Sequence, residues 1–232
     1  MIAGGHVGAF DDEVPNVLTE VVELVKTNST PYIGQLPSQR HYAVGAMFNN
    51  TPMLCGGYDA SFSSYYSCIS FQTSQWTQTH SLNVDRSSAA GVLINSTTFW
   101  ILGGSYDDGD STEFILQGHP YGVPGPKLPY GLEEMCAVKR SAHEIFVIGG
   151  FTTSNQEVKN EVWIYNPQNG FARKQGPSLK TARHYHSCST MRDGEKTLIV
   201  VAGGSGDDYQ SLDSVEIYDP TDNSWYSGKQ NS

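Results

Sequence analysis

Charge is scarce in this chain, and long apolar stretches are missing from it. Charged residues make up 16% of its 232 residues, against about 25% in an average globular domain. The longest unbroken apolar run is Leu198-Ile199-Val200-Val201-Ala202, far short of the roughly 20 residues that a membrane-crossing helix requires. Basic residues are outnumbered, 14 Lys and Arg against 24 Asp and Glu, for a net charge of -10. With no Lys/Arg cluster as a local exception, this surface would repel a phosphate backbone. Neither nucleic acid nor a membrane is therefore expected as a partner. Four cysteines are too few for a disulfide scaffold. The opening Met1-Ile2-Ala3-Gly4-Gly5 has neither the basic start nor the apolar stretch of a secretory signal.

What is abundant is glycine, with 24 residues, and tyrosine, with 13, a balance that favours strands and turns over helices. The glycines are periodic. A Gly-Gly pair follows an apolar run at Met53 to Gly57, Phe99 to Gly104, Ile145 to Gly150 and Val200 to Gly204, and a fifth opens the chain at Ile2 to Gly5. Their first glycines fall at 4, 56, 103, 149 and 203, a period of about 50 residues, which marks a repeat architecture. Downstream of the pairs runs a second signature, an apolar strand ending in an aromatic, a polar turn and another aromatic: Val215 to Trp225, Val162 to Phe171, Ile69 to Trp76. Taken alone, Val17, Leu18, Val21, Val22, Leu24 and Val25 fit a helical face. Their alignment with Val215 to Trp225 instead predicts strand. A third signature precedes the glycines, where Arg40, Arg86 and Arg183 each open a small-residue strand and Glu133 takes the corresponding place in the remaining repeat.

Each repeat thus reads as four antiparallel strands that cannot bury both faces alone, and stacking copies around an axis solves that problem. These features resemble the kelch repeat, and the likeness extends over the whole chain. A two-sheet sandwich is the alternative fold, but it does not call for equal periods. The resemblance implies an all-β propeller of four-stranded antiparallel blades over residues 1–232. Its blades are expected at approximately 1–39 (partial), 40–85, 86–131, 132–182 and 183–232. Two departures stand out. Phe114 to Pro129 carries Pro120, Pro124, Pro126 and Pro129, which predicts a short or irregular outer strand there. Family members usually carry more blades, and the ends offer no spare strand to close the ring. A piece of a longer protein, with an exposed edge near Met1, is the expectation.

In a propeller the loops after the Gly-Gly pairs and those before the Arg-led strands share one face, where family members commonly bind partners. That face is expected to display Arg40, Arg86, Arg183, Tyr58, Tyr106 and Phe151, with Asp107, Asp108 and Asp110 in one loop and Asp207 and Asp208 in another. Mixed Arg, Tyr and Asp on rigid loops suits protein recognition. In the competing reading each Arg pairs with an acidic neighbour and merely holds its turn. Asp107-Asp108-Gly109-Asp110 lacks the alternating ligands and closing Glu of a calcium loop and reads as a solvated turn. Arg183-His184-Tyr185-His186-Ser187-Cys188 resembles a copper-binding run of the galactose oxidase type. The further ligands and the cross-linked Cys of that type are not evident, so the histidines read as ordinary strand residues. No nucleophile elbow or phosphate loop is present.

Cys55 and Cys68 would sit on neighbouring strands and could form a disulfide, whereas Cys136 and Cys188 read as buried thiols. The sequons at Asn28 and Asn95 fall on the opposite face. Together with the Cys pair they favour an extracellular site over the cytoplasm. The sum is a non-enzymatic protein-interaction module with no cofactor and no metal, binding a protein partner of basic or mixed charge on the Gly-Gly loop face. A carbohydrate-active or copper radical oxidase and a secreted adhesion or matrix protein are the alternatives.

Overall fold

A computed structural model describes residues 35–104 and 109–228 in full, and the backbone of 2–3, 6–7, 17–18, 21–23 and 32–34. Tyr106, Asp107, Asp108, Asn28 and the expected edge at Met1 lie outside the described residues. Four four-stranded antiparallel sheets follow one another along the chain, each with its strands in sequence order. The 44–81 blade comprises Val44–Phe48, Thr51–Cys55, Ser67–Gln72 and Gln75–Ser81. The 90–124 blade comprises Ala90–Asn95, Thr98–Leu102, Thr112–Leu116 and Val123–Pro124. Cys136–Ser141, Glu144–Ile148, Val162–Asn166 and Ala172–Gln175 form the 136–175 blade. Ser187–Asp193, Lys196–Ala202, Val215–Asp219 and Ser224–Ser227 form the 187–227 blade. Ahead of them Ile2–Ala3, Val21–Glu23 and Tyr32–Gln35 make a three-stranded sheet. Val17–Leu18 and Val21–Glu23 are strands, so the repeat prevails over the helical periodicity of that segment. Among the described residues the only helix is a single 3-10 turn, Pro167–Asn169. The chain is a propeller of four-stranded antiparallel blades.

The second strand of each blade shows why the apolar runs are unbroken. Phe99, Trp100, Ile101 and Leu102 are all fully buried. Phe99 and Ile101 pack with Met53 and Cys55 of the preceding blade, while Trp100 and Leu102 pack with Ile145 and Val147 of the following one. Phe146 and Ile148 then meet Ile199 and Val201. A strand covered on both faces needs apolar residues at every position rather than at alternate ones. The proline-rich outer strand of the 90–124 blade shrinks to Val123–Pro124, because proline cannot donate to the ladder.

Cysteine chemistry departs from expectation at one pair. Cys55 and Cys68 are disulfide-bonded within a blade, with Cα atoms 4.0 Å apart. Cys136 and Cys188, read from sequence as free buried thiols, are also disulfide-bonded. They occupy the inner strands of adjacent blades, which the curvature of the ring brings together across 52 residues of chain.

In the four described pairs both glycines sit at positive φ, and all but Gly203 are pressed against a carbonyl. A Cβ on the first glycine would fall 2.3 Å from the Arg86 carbonyl oxygen at Gly56, 2.2 Å from that of Leu132 at Gly103, and 2.6 Å from that of Arg183 at Gly149. Each of those carbonyls belongs to the next blade. The second glycine meets its own inner segment instead, with Gly104 as near as 2.4 Å to the Ser87 oxygen, and its N–H donates to the same next-blade carbonyl: Gly57 to Arg86, Gly104 to Leu132, Gly150 to Arg183. The pair is therefore the joint between blades, where only hydrogen fits.

Gly103→Ala is expected to lower stability by more than about 2 kcal/mol, since left-handed strain of about 1–2 kcal/mol is joined by a backbone clash. Gly118 also has positive φ but nothing near its Cβ position, so Gly118→Ala should cost the left-handed strain alone, about 1 kcal/mol. Urea denaturation of the two variants measures the difference.

Candidate functional site

The turn that feeds each inner strand carries a non-glycine residue in the left-handed region at the same repeat position: Tyr42, Ser88, Glu134 and Tyr185, with φ of 54°, 55°, 59° and 54°. A hydrogen-bond ladder joins them. Ser88 N donates to Tyr42 O at 3.2 Å, Glu134 N to Ser88 O at 2.8 Å, and Tyr185 N to Glu134 O at 3.0 Å. Left-handed backbone costs an L residue about 1–2 kcal/mol, and such strain persists only where surrounding structure enforces it. Here the ladder between blades enforces it, and it turns four side chains toward one mouth.

The three arginines do not reach that mouth. Arg40, Arg86 and Arg183 are 2%, 1% and 0% exposed, which corrects the expectation that they are displayed for a partner. Each guanidinium instead ties its own blade together. The Nη1 of Arg40 donates to the carbonyls of Gly56 and Ser67, that of Arg86 to Gly103 and Ser111, and that of Arg183 to Gly203 and Ser214. The Nη2 atoms bind the Ser67, Ser111 and Ser214 hydroxyls. Arg86 and Arg183 also form buried ion pairs with Glu113 at 3.1 Å and Glu216 at 2.9 Å. Among the described residues Arg40 has no carboxylate partner. Burial lowers it to about 10, offset in part by Tyr65, whose ring the guanidinium covers at 4.3 Å. The register also corrects the remaining repeat. Gly104 N receives the Leu132 carbonyl as Gly57 N receives that of Arg86, so Leu132, not Glu133, stands at the arginine position. Gly149 N correspondingly bonds Glu161 where the other blades use a serine.

Aromatic rings occupy the mouth. Tyr42 and Tyr185, from blades far apart in sequence, stack with centroids 5.5 Å apart and planes 25° apart. Tyr58 lies 5.6 Å from Tyr42, and Phe62 5.5 Å from Tyr58. On the other side His184 lies 5.0 Å from Tyr185, 5.6 Å from Phe151 and 6.0 Å from Tyr209. Phe62 and Tyr209 stand 75% and 68% exposed. A cleft of about 180 Å3 opens beside the tyrosines, lined also by Ser88, Glu134, Met135 and His186. Glu134 is its carboxylate, and His184 Nδ1 lies 2.6 Å from Glu134 Oε2. Burial first, then a hydrogen bond with Glu134 and the nearby Tyr42, push the Tyr185 phenol far up, so it stays protonated. Tyr58 is raised by burial and by the same two neighbours.

Of the sequence-selected residues, the structure brings Tyr58 and Phe151 into this aromatic belt. Asp207 and Asp208 are exposed beside Tyr209, and Asp208 accepts from the Gln210 N–H at 3.1 Å. Asp110 pairs with Lys127 at 3.0 Å. Asn95 is exposed on a hairpin at the opposite end, its Oδ1 accepting from Thr97 N at 2.9 Å. A larger cavity of about 520 Å3 also lies at the hairpin end, lined by Arg140, Glu144, Arg173 and Lys174 among others. Its arginines are engaged, Arg140 with Glu144 and Arg173 with the Lys127 carbonyl. Among the described residues no three His, Cys, Asp or Glu side chains converge on one point.

The kelch motif model matches residues 196–231. Kelch-like protein 23 of Homo sapiens is 30% identical over 103 residues, covering 44% of this chain and 17% of its own length. An F-box/kelch-repeat protein of Arabidopsis thaliana is 37% identical over 86 residues, covering 37% of this chain and 29% of its own length. The chain carries a kelch motif. It spans less than a third of the length of these curated relatives.

Within the kelch framework, sequence reasoning chose the arginines and passed over Tyr42, Tyr185, Glu134, Phe62 and Tyr209. One signal was available. Arg-His-Tyr occurs twice, at 40–42 and 183–185, and the third residue of each run is the left-handed one.

Arg183→Met leaves the Glu216 carboxylate with only the Lys180 and Thr181 N–H groups and should destabilise the chain by about 3–5 kcal/mol; Arg183→Met/Glu216→Met should recover only part of it, because those two N–H groups lose their acceptor. Arg40→Met strands no carboxylate among the described residues and should cost less, as urea midpoints would reveal. A pH signature follows from His186, lowered to about 4 chiefly by burial and then by Arg183. The unfolded chain takes up a proton below about pH 6.5 that the native imidazole refuses, so stability falls as pH drops from 6.5 to 4, by up to about 3 kcal/mol. Glu133, raised to about 6 by burial and then by Glu134, opposes this, because the protonated native carboxyl adds stability that is lost as pH rises through 6. His186→Gln should therefore flatten the acid limb of the stability profile; parallel wild-type and variant profiles would contradict this assignment.

Proposed function

We propose that the chain is a non-enzymatic protein-interaction module whose recognition surface is the Gly-Gly loop end of a single propeller spanning residues 1–232. The resemblance to kelch repeats supports a protein partner, since these repeats serve as interaction scaffolds. The observation that carries the reading is the placement of exposed aromatics. Tyr42, Phe62, Tyr66, Tyr185 and Tyr209 are exposed and all belong to this end, Tyr42 and Tyr185 on turns held by the ladder between blades and the other three on loops after the Gly-Gly pairs. Exposed aromatic side chains on a rigid frame are the usual anchors of protein interfaces, because they cover large area at low entropic cost.

The test pairs substitutions at the two ends. Affinity capture with Phe62→Ser/Tyr209→Ser should lose the partners held by the wild type, while Met47→Ser, exposed at the hairpin end, should keep them. Both substitutions replace exposed side chains and should melt like the wild type. The reverse pattern would move the interface to the other end.

A further inference from the structure

We infer that the cleft between Tyr42, Tyr185 and Glu134 is a receptor for one guanidinium group, supplied by an arginine side chain of the partner. This rests on the reading that the Gly-Gly loop end meets a protein, and it assigns the chemistry of the contact.

The cleft combines three features that suit a planar cation. Its walls include two phenol rings stacked at 5.5 Å and each about two-fifths to one-half exposed, Tyr42 at 39% and Tyr185 at 47%. Tyr42 also stacks on His41 at 4.0 Å and Tyr185 lies 5.0 Å from His184, so a cation would meet only the uncovered part of each ring, which carries the negative side of the quadrupole. Beside them Glu134 is 11% exposed, engaged at Oε2 by His184 and hydrogen-bonded by the Tyr185 hydroxyl, yet a carboxylate accepts about four hydrogen bonds. The remaining capacity matches a guanidinium fork, which donates in a plane. Among the described residues the lining of the cleft includes no Lys or Arg, and the nearest arginines in sequence, Arg40, Arg86 and Arg183, are turned inward.

Size narrows the choice. About 180 Å3 is below the roughly 300 Å3 of ordinary small-molecule sites and suits a single long side chain. Arginine is favoured over lysine because a flat group can lie along a tyrosine face while its edge reaches the carboxylate. The chain already uses that contact internally, with Arg40 over Tyr65 at 4.3 Å. A net charge of -10 would favour the approach of a basic segment to the chain as a whole.

The probe is a blocked tripeptide, acetyl-Gly-Arg-Gly-amide, compared with its citrulline counterpart by NMR titration of the full chain. Citrulline keeps the shape and removes the charge. The arginine peptide should bind at least tenfold more tightly, with shifts centred on Tyr42, Glu134 and Tyr185. Glu134→Gln keeps an acceptor for His184 and should abolish the preference, whereas Phe62→Ser, outside the cleft, should leave it intact. Equal binding of the two peptides, or an arginine preference that survives Glu134→Gln, would overturn the site. If the arginine preference is absent while Phe62→Ser/Tyr209→Ser still loses protein partners, the guanidinium site falls and the partner-binding end stands. If the preference holds but capture does not depend on Phe62 and Tyr209, the cleft stands and the wider surface must be redrawn.

Discussion

The structure depends on one close contact, the approach of a backbone carbonyl, that of Arg86, Leu132 or Arg183, onto the Gly-Gly pair of the blade before it. At 2.2–2.6 Å from the position where a Cβ would stand, that carbonyl excludes every side chain. It also supplies the acceptor for the second glycine's N–H. The joint sets the separation of the blades, and the apolar strand before it then has neighbours on both faces. Glycine, carbonyl and apolar run are therefore one device, and their shared period follows from it.

The buried arginine is the second half of that device. Its guanidinium satisfies the carbonyl of its own blade's first glycine and the serine that begins the third strand, while its own carbonyl fills the joint of the preceding blade. Where the cation is missing, other residues change with it: Leu132 stands in the arginine place and Glu161 in the serine place, and the Glu161 carboxylate turns to the Tyr130 hydroxyl at 2.6 Å. Burying a guanidinium is costly unless its hydrogen bonds are met, and here they are met by groups whose positions the fold dictates. An arginine so used is lost to recognition.

Recognition falls instead to the neighbouring position. The ladder through Tyr42, Ser88, Glu134 and Tyr185 holds a strained backbone in four repeats, and the side chains at those points differ freely. Tyrosine twice and glutamate once give this mouth an aromatic and acidic character. The scaffold residues are thus alike from blade to blade, whereas the displayed ones are individual.

Much of the fold was legible in the sequence. The Gly-Gly period, the apolar runs and the Tyr/Trp spacing name the blades, because each reflects a contact made within a repeat or with the next one at a constant offset. Val17 to Glu23 yielded to that period against its own helical pattern. The site was legible only in part. Arg40, Arg86 and Arg183 read as surface residues by type, and their burial depends on carbonyls and carboxylates from distant strands. The bond between Cys136 and Cys188 was likewise beyond sequence, since only the ring's curvature sets their Cα atoms 6.0 Å apart. Tyr42 and Tyr185 carry no mark of meeting. The repeating local interactions belong to the sequence, and the pairings across the axis to the tertiary structure, because the distance between blades far apart along the chain is fixed only when all the joints between them have closed.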